Sequence, residues 1–226
     1  MKPSLVKRCL AEFIGTFALI FIGIGAIQHL GAVPGGLLGI ALAHGLTIAV
    51  MVSATGAISG GHLNPAVTFG LLVGGKIDAA AAAAYWVAQL AGGTLAAVLA
   101  GALLSHGEVL SSKIILGGTP ALGNGISVGA GIGIEAVLTF FLVFVVYGSA
   151  VDARAPKIGG LPIGLTVALD ILFGGPLTGG AMNVARWFGP ALATGNWANA
   201  VVYIVGPLLG GALAGLIYGR FLIKEG

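Results

Sequence analysis

Two stretches of the chain place an asparagine between a glycine-rich segment and a short apolar run. The first is Ser59-Gly60-Gly61-His62-Leu63-Asn64-Pro65-Ala66-Val67-Thr68, and the second is Thr178-Gly179-Gly180-Ala181-Met182-Asn183-Val184-Ala185-Arg186. Each apolar run ends in a glycine, Gly74 or Gly195. Asparagine is a favoured N-cap residue, so each stretch predicts an extended loop that enters a short helix. A helix from Asn64 to Gly74 would be about 15 Å long, half of a ~30 Å hydrocarbon core.

The capping asparagines, Asn64 and Asn183, could also present hydrogen-bond donors to a solute. Each side-chain oxygen can accept from its own helix, which leaves the amide NH2 as a donor. Two short helices that enter from opposite faces would direct their positive ends to one point near the midplane. The loop carbonyls would then form a ladder of acceptors along a lumen, namely those of Gly60, Gly61, His62, Gly179, Gly180 and Ala181. This arrangement suits a small neutral polar solute and opposes the passage of protons and cations.

The composition indicates that these stretches lie in a membrane. Of the 226 residues, 58% are hydrophobic and 8% are charged, whereas about 25% are charged in ordinary soluble proteins. The single Cys9 excludes an internal disulfide, and no metal-ligand spacing is evident, so neither a cofactor nor a metal is expected. The net charge of +3 comes from thinly spread basic residues that form no patch for nucleic acid.

Six long apolar stretches are each near the ~20 residues that a spanning helix needs. They are roughly Cys9–Leu30, Gly36–Thr55, Ala79–Leu104, Val128–Ala150, Leu161–Gly175 and Trp197–Phe221. The basic residues between them favour one orientation. Eight lie on one side, namely Lys2, Lys7, Arg8, Lys76, Arg154, Lys157, Arg220 and Lys224, and two lie on the other, Lys113 and Arg186. We therefore expect both termini in the cytoplasm.

The chain also contains an internal repeat. The segment 45–50, Gly-Leu-Thr-Ile-Ala-Val, matches the segment 164–169 at an offset of 119 positions, and the same offset separates Asn64 from Asn183. With three spans in each half, the second copy must be inverted. We expect a single channel domain over 1–226, with inverted repeats of approximately 5–105 and 126–226 joined by an outer loop, 105–127.

These motifs resemble the two signature loops of the major intrinsic protein, or aquaporin, family, and the resemblance covers nearly the whole chain. It implies an all-α membrane protein with six transmembrane helices and two re-entrant half-helices, a homotetramer with one pore per subunit, and a channel rather than an enzyme. It also implies that Glu12 and Glu135 are buried and brace the re-entrant loops. The first half-helix begins at Pro65, and the second motif has Val184 where the family has proline. Because valine can adopt the same φ, we expect the second half-helix to remain.

By position in the family, the selectivity constriction falls on His44, Ile171, Gly180 and Arg186. This set is similar to that of one subgroup of plant tonoplast intrinsic proteins, whose members pass water and ammonia. Arg186 would supply fixed donors and a barrier to cations, unless it extends to the membrane interface. His44 would be a donor to water, or a buried histidine tied to a neighbouring helix. Asp170 would orient Arg186, His44 or a loop group, or sense pH, or it would be a hydrogen-bonded structural carboxylate.

The function we expect is a passive channel for water, and also for ammonia, that excludes protons and ions. A glycerol facilitator is the first alternative, and His44, Ile171 and Trp187 argue against the wide aromatic constriction that it needs. An ion-coupled transporter would need titratable groups along its path, and a junction-forming structural protein would conduct little. The expected partners are water, small neutral solutes and the lipid bilayer. The short tails and the lack of a targeting segment favour a prokaryotic plasma membrane.

Overall fold

The structure is a computed structural model that describes residues 3–105 and 110–223, so Lys2 and Lys224 lie outside it. In chain order the helices are α1 (Leu5–Leu30), α2 (Gly36–Ser59), α3 (Pro65–Val73), α4 (Ala79–Leu103), α5 (Ser112–Gly117), α6 (Val128–Val146), α7 (Leu161–Thr178), α8 (Val184–Thr194) and α9 (Ala200–Leu216). Two π-helical segments, Tyr147–Val151 and Ile217–Leu222, extend α6 and α9. Within the described residues no strand is present.

Six helices in the described ranges are long and apolar enough to cross a membrane: α1, α2, α4, α7, and α6 and α9 with their π-helical extensions. The all-helical fold predicted from the sequence is confirmed, although some helix ends differ. Helix α7 continues past Pro176 to Thr178, whereas the sequence predicted an end at Gly175. Helix α2 continues to Ser59 because Gly60, with a φ of 94°, adopts the left-handed conformation that ends helices.

The two short helices begin at the predicted asparagines. The Asn64 side chain accepts a hydrogen bond from the Ala66 N–H at 2.8 Å, and the Asn183 side chain accepts one from the Ala185 N–H at 2.9 Å. Helices α3 and α8 contain 9 and 11 residues. At about 1.5 Å per residue, each reaches only part of the way across a bilayer.

Glycines allow the long helices to pack closely. Helices α2 and α7 cross at Gly45 and Gly164, where a Cβ added to Gly45 would lie 2.5 Å from the Gly164 carbonyl oxygen. Helices α6 and α9 cross at Gly210, where an added Cβ would overlap the Ala136 carbonyl. A side chain at any of these positions would force the helices apart. The tight crossings hold the frame that surrounds α3 and α8.

We name the two faces of the bundle according to where the first and last described helices begin and end. Helix α1 begins, and the extension of α9 ends, on one side, which we call the terminal face; the other side is the distal face. Helix α3 runs from the interior to the terminal face, where Arg220 donates to the Val73 carbonyl at 3.0 Å. Helix α8 runs from the interior to the distal face, where α9 begins.

Candidate functional site

A narrow cavity lies at the centre of the bundle, where α3 and α8 meet. Its wall contains both cap asparagines, Asn64 and Asn183, and its apolar side is formed by Leu19, Ile48, Val52, Val67, Leu142, Val146, Ile163 and Val167. The volume open to the centres of water molecules is about 30 Å³. Because one water needs roughly 10–15 Å³ by this measure, the cavity admits only a few waters, one after another.

Two wider spaces adjoin this cavity. The vestibule on the terminal face has a volume of about 540 Å³ and shares Val52 with the cavity. The vestibule on the distal face has a volume of about 260 Å³ and shares His44, Ile171 and Arg186 with the cavity. These three side chains therefore surround the neck between the cavity and the distal vestibule. Gly180 also lines the cavity, and a Cβ added to it would lie 3.3 Å from Cα of Ile171.

The loop residues expected to supply carbonyls divide between these spaces. Gly61, His62, Gly180 and Ala181 line the central cavity. Gly60 lines the vestibule on the terminal face, and Gly179 lines the vestibule on the distal face.

Each cap asparagine is also hydrogen bonded to the opposite loop. The Asn64 amide nitrogen donates to the Met182 carbonyl at 2.8 Å, and the Asn183 amide nitrogen donates to the Leu63 carbonyl at 3.0 Å. Leu63 and Met182 have φ values of 54° and 50°, which is uncommon for residues other than glycine. An amide NH2 has two hydrogens, so one hydrogen on each asparagine remains for a solute. The sequence did not reveal these cross-links.

Two fully buried carboxylates, Glu12 and Glu135, hold the loops in place. Each accepts hydrogen bonds from two consecutive loop N–H groups and from a hydroxyl at the end of the preceding long helix. The donors are His62, Leu63 and Ser59 for Glu12, and Ala181, Met182 and Thr178 for Glu135, at 2.6 to 2.9 Å. Glu12 accepts a fourth hydrogen bond from Gln89 at 2.8 Å. Gln89 was not predicted, although a lone amide in an apolar span is a signal for a buried polar partner.

Both histidines at the cavity present an acceptor in their neutral form. The Nδ1 atom of His44 lies 2.8 Å from the Ile40 carbonyl, which can only accept, so the proton is on Nδ1 and Nε2 is an acceptor. This Nε2 is buried against Gly23 and has no donor among the described residues. In His62, Nδ1 contacts the Thr68 hydroxyl, whose own hydrogen is donated to the Asn64 carbonyl, so Nδ1 again carries the proton. The view of His44 as a donor to water is therefore not supported.

Arg186 is buried at the neck, with 3% of its surface exposed. Its Nη1 atom donates to the Gly118 carbonyl at 3.0 Å, in the loop that follows α5. Its Nε atom has no partner among the residues that the structure describes. The alternative of a side chain extended to the membrane interface does not apply, since the guanidinium is held inside the protein.

The sequence profile of the major intrinsic protein family matches residues 1–218. The chain belongs to this family. Its members are channels and not enzymes, and this chain is accordingly a membrane channel of the aquaporin type. Among similar proteins, aquaporin TIP4-4 of Zea mays is 45% identical over 98% of this chain and 88% of its own length. Aquaporin TIP4-1 of Arabidopsis thaliana is 46% identical over 99% of this chain and 89% of its own length.

A solved structure with the same fold is that of the aquaglyceroporin from Plasmodium falciparum. The TM-score is 0.85 and the sequence identity is 27%, with 97% of both chains covered. The predicted prokaryotic plasma membrane is wrong, because the similar aquaporins of the TIP type come from plants, which are eukaryotes. The prediction rested on short tails, and an apolar helix bundle does not encode which membrane it enters.

Two residues that the sequence singled out lie away from the cavity of this aquaporin. Trp187 is 1% exposed and packs between α8 and α9, where its ring stacks on Tyr203 with centroids 5.9 Å apart. Trp187 therefore does not affect the width of the pore directly, and it is no evidence against a glycerol channel. Asp170 lies in a groove between α6 and α7, and its Oδ2 atom is buried with no donor among the described residues. The reading of Asp170 as a hydrogen-bonded structural carboxylate is therefore not supported there.

Proposed function

We propose that this aquaporin conducts water in single file and also conducts ammonia, while it excludes protons and ions. The observation that carries the proposal is the neck, whose wall combines His44, Ile171 and Arg186. One side of the neck is apolar, one carries a fixed cation, and Gly180 adds no side chain. Such a neck requires few hydrogen bonds from a solute. A solute that is held less strongly by water, such as ammonia, then loses less free energy on entry.

Exclusion of protons and cations is supported by the centre of the cavity. The N-termini of α3 and α8 meet there, and each carries a partial positive charge. The remaining amide hydrogens of Asn64 and Asn183 can both point to one water oxygen, so the hydrogens of that water face away from the asparagines. This water cannot pass a proton along the file, and Arg186 adds a second positive barrier.

A passive mechanism is favoured over ion coupling. Coupled transporters need titratable groups along the path. Among the described residues no carboxylate lines the central cavity, and the imidazoles of His44 and His62 are each hydrogen bonded to the protein through Nδ1. We also propose inverted repeats of about 5–105 and 126–226 joined by the loop 105–127, because Glu12 and Glu135 make the same set of loop contacts. For the assembly in the bilayer we propose the homotetramer that is typical of the family.

Glycerol conduction is a second candidate, favoured by the structural similarity to an aquaglyceroporin. The neck of this chain argues against it, since the three side chains there include no phenylalanine, tyrosine or tryptophan ring that would pack against a carbon chain.

Stopped-flow measurements on proteoliposomes test these functions. Vesicles receive an osmotic step, an ammonium gradient with an internal pH dye, or a glycerol gradient. We expect shrinkage and internal alkalinisation several-fold faster than in empty vesicles, and glycerol entry at the rate of empty vesicles. Rapid glycerol entry would establish the second candidate instead. Water and ammonia rates equal to those of empty vesicles would overturn the proposal.

Variants with matched controls test the neck. Arg186→Val should raise proton leak and Arg220→Val should not, because Arg220 lies on the terminal face away from the cavity. His44→Phe should lower the ammonia rate and His29→Phe should not, because His29 is exposed at the end of α1. Equal effects within either pair would show that the neck does not set selectivity.

A further inference from the structure

A glutamine that has no role so far connects α1 to the loop that holds Arg186. Gln28 lies near the distal end of α1, and its Nε2 atom donates to the Ile114 carbonyl of α5 at 2.9 Å. Helix α5 is fixed on its other side by Ile115, which is fully buried against Gly101 of α4. The Ser111 N–H, just before α5, also donates to the Gly101 carbonyl at 3.0 Å. The α4 side of α5 is therefore held at Gly101, and the hydrogen bond from Gln28 holds its α1 side.

Hydrogen bonds and the backbone of Gly118 connect Gln28 to the neck. The Ile114 carbonyl has two lone pairs, and its second donor is the Gly118 N–H at 3.2 Å. The Gly118 carbonyl in turn accepts from Nη1 of Arg186 at 3.0 Å. Three successive hydrogen bonds therefore join Gln28 to the guanidinium, through the end of α5.

The turn at the end of α5 also fits closely against α1. A Cβ added to Gly117 would lie 2.5 Å from Nε2 of Gln28, and one added to Gly118 would lie 2.8 Å from Cγ1 of Ile24. Ile24 and Gln28 are one helical turn apart, so one face of α1 shapes the turn that carries the Gly118 carbonyl.

Arg186 has little else to fix its side chain. Among the described residues, the Arg186 side chain makes one hydrogen bond, to the Gly118 carbonyl, and its Nε atom has no partner. Any displacement of the Gly118 carbonyl therefore moves the guanidinium relative to His44 and Ile171. A change of this kind alters the width and the charge of the neck.

We propose that Gln28 is a positioning residue for the selectivity of this channel. It acts through the Ile114 carbonyl and the Gly118 turn, and it holds Arg186 at the neck without contact with the solute. The inference rests on the proposed role of Arg186 in selectivity. It assigns a selectivity role to the end of α1 and to the turn at the end of α5.

The test compares the ratio of ammonia to water permeability in proteoliposomes. Gln28→Leu keeps the size of the side chain and removes the donor. We expect the ratio to change at least threefold, in the same direction as for Arg186→Val. Thr94→Val is the matched control, since the Thr94 hydroxyl bonds to the Leu90 carbonyl of its own helix, and it should leave the ratio unchanged.

A double variant separates positioning from a general loss of structure. If Gln28 acts through Arg186, adding Gln28→Leu to Arg186→Val should produce no further change in the ratio, because coupled residues are not additive. An equal change in both backgrounds would overturn the inference. A ratio unaltered by Gln28→Leu but altered by Arg186→Val would overturn it as well. If Arg186→Val itself left the ratio unaltered, the proposed role of the neck in selectivity would be contradicted instead.

Gly118→Ala tests the second link of the inference, from the Gly118 turn to Arg186, if Gln28→Leu does not fold. The added methyl group meets Ile24 and displaces the Gly118 carbonyl, while the Gln28 hydrogen bond donor remains in the chain. We expect the ratio to change in the direction of Arg186→Val. An unchanged ratio in a folded Gly118→Ala protein would contradict the inference.

Discussion

The amide nitrogen of Asn64 lies 2.8 Å from the carbonyl oxygen of Met182, so the residue that caps one half-helix also ties its loop to the opposite loop. Asn183 makes the reciprocal bond to Leu63 at 3.0 Å. Each side chain thus uses its oxygen for its own helix and one hydrogen for the other loop, and its remaining hydrogen is the one that we propose to face the lumen. Capping, joining of the two halves and presentation of a donor are three tasks of one amide group.

Asn183→Ser separates these tasks. Serine is a good N-cap, so α8 should remain, but the bond to Leu63 is lost and a buried carbonyl is left without its donor. We expect a loss of stability of about 1–3 kcal/mol, together with a raised proton leak, measured from the melting temperature and from pH-dye traces. Asn196→Ser, in an exposed loop on the distal face, should change neither. An unchanged proton leak would show that the amide hydrogen at the centre is not part of the barrier.

Trp187→Ala should affect stability and not selectivity. The indole is buried in an aromatic cluster with Tyr203 and Trp197, with a centroid distance of 5.7 Å to Trp197. Removal of a buried tryptophan costs about 3–5 kcal/mol, so the melting temperature should fall clearly. Because Trp187 does not line the cavity, the ratio of glycerol to water permeability in the folded fraction should stay the same. A change in that ratio would show that α8 positions the neck through this cluster.

The long helices and both half-helices could be predicted because their signals are local. Apolar runs near membrane length and an asparagine before a short apolar run need no knowledge of tertiary contacts. The cross-links could not be predicted in the same way, since Asn64 and Met182 are 118 positions apart. Helix α5 was missed because its six residues lie in a loop without a long apolar run. Its placement, and with it the position of the Gly118 carbonyl, is set by long-range contacts such as the hydrogen bond from Gln28, which is 86 positions from its acceptor.

Asp170→Leu should stabilise the protein. The carboxyl group has one oxygen that is buried without a donor among the described residues, and its groove is lined by Val137, Phe141 and Phe173. A buried polar group without a hydrogen bond costs about 1–3 kcal/mol, and leucine removes that cost. We expect a higher melting temperature in detergent and unchanged water permeability, since Asp170 does not line the cavity. A lower melting temperature would mean that the assembled protein supplies a partner for this carboxyl group.

Asp152→Asn should have the opposite effect, and the effect should depend on pH. Asp152 follows the span that ends at Val151, and Nε of Arg154 donates to its Oδ1 at 2.9 Å. The hydrogen bonds from Arg154 lower the pKa of Asp152 below its ordinary value. A lowered pKa stabilises the folded state above the unfolded pKa of about 3.9, and this stabilisation is lost as the pH falls through the folded pKa.

At neutral pH the melting temperatures of Asp152→Asn and of the unchanged protein should therefore differ by the whole contribution of the pair. The difference should shrink below about pH 4, where the carboxyl group of the unfolded chain becomes protonated while that of the folded protein is still charged. Arg154→Leu removes the donor of the same pair, so the pH dependence of the melting temperature that comes from this pair should be lost in that variant too. A difference that is constant with pH would show that the pairing does not contribute to stability.

Val184→Pro should stabilise α8 and keep the channel open. Val184 is the first residue of α8, as Pro65 is of α3. At this position a proline has a suitable φ and lacks only an N–H that the helix does not use. The Asn183 oxygen accepts from Ala185 and Arg186, so the substitution removes neither bond. We expect a gain of about 0.4–1 kcal/mol from the restricted unfolded chain, seen as a higher melting temperature. Pro65→Val, the converse change, should lower it by a similar amount. Since Val184 does not line the cavity, a large change in water permeability in Val184→Pro would show that the loop before α8 shifts with its first residue.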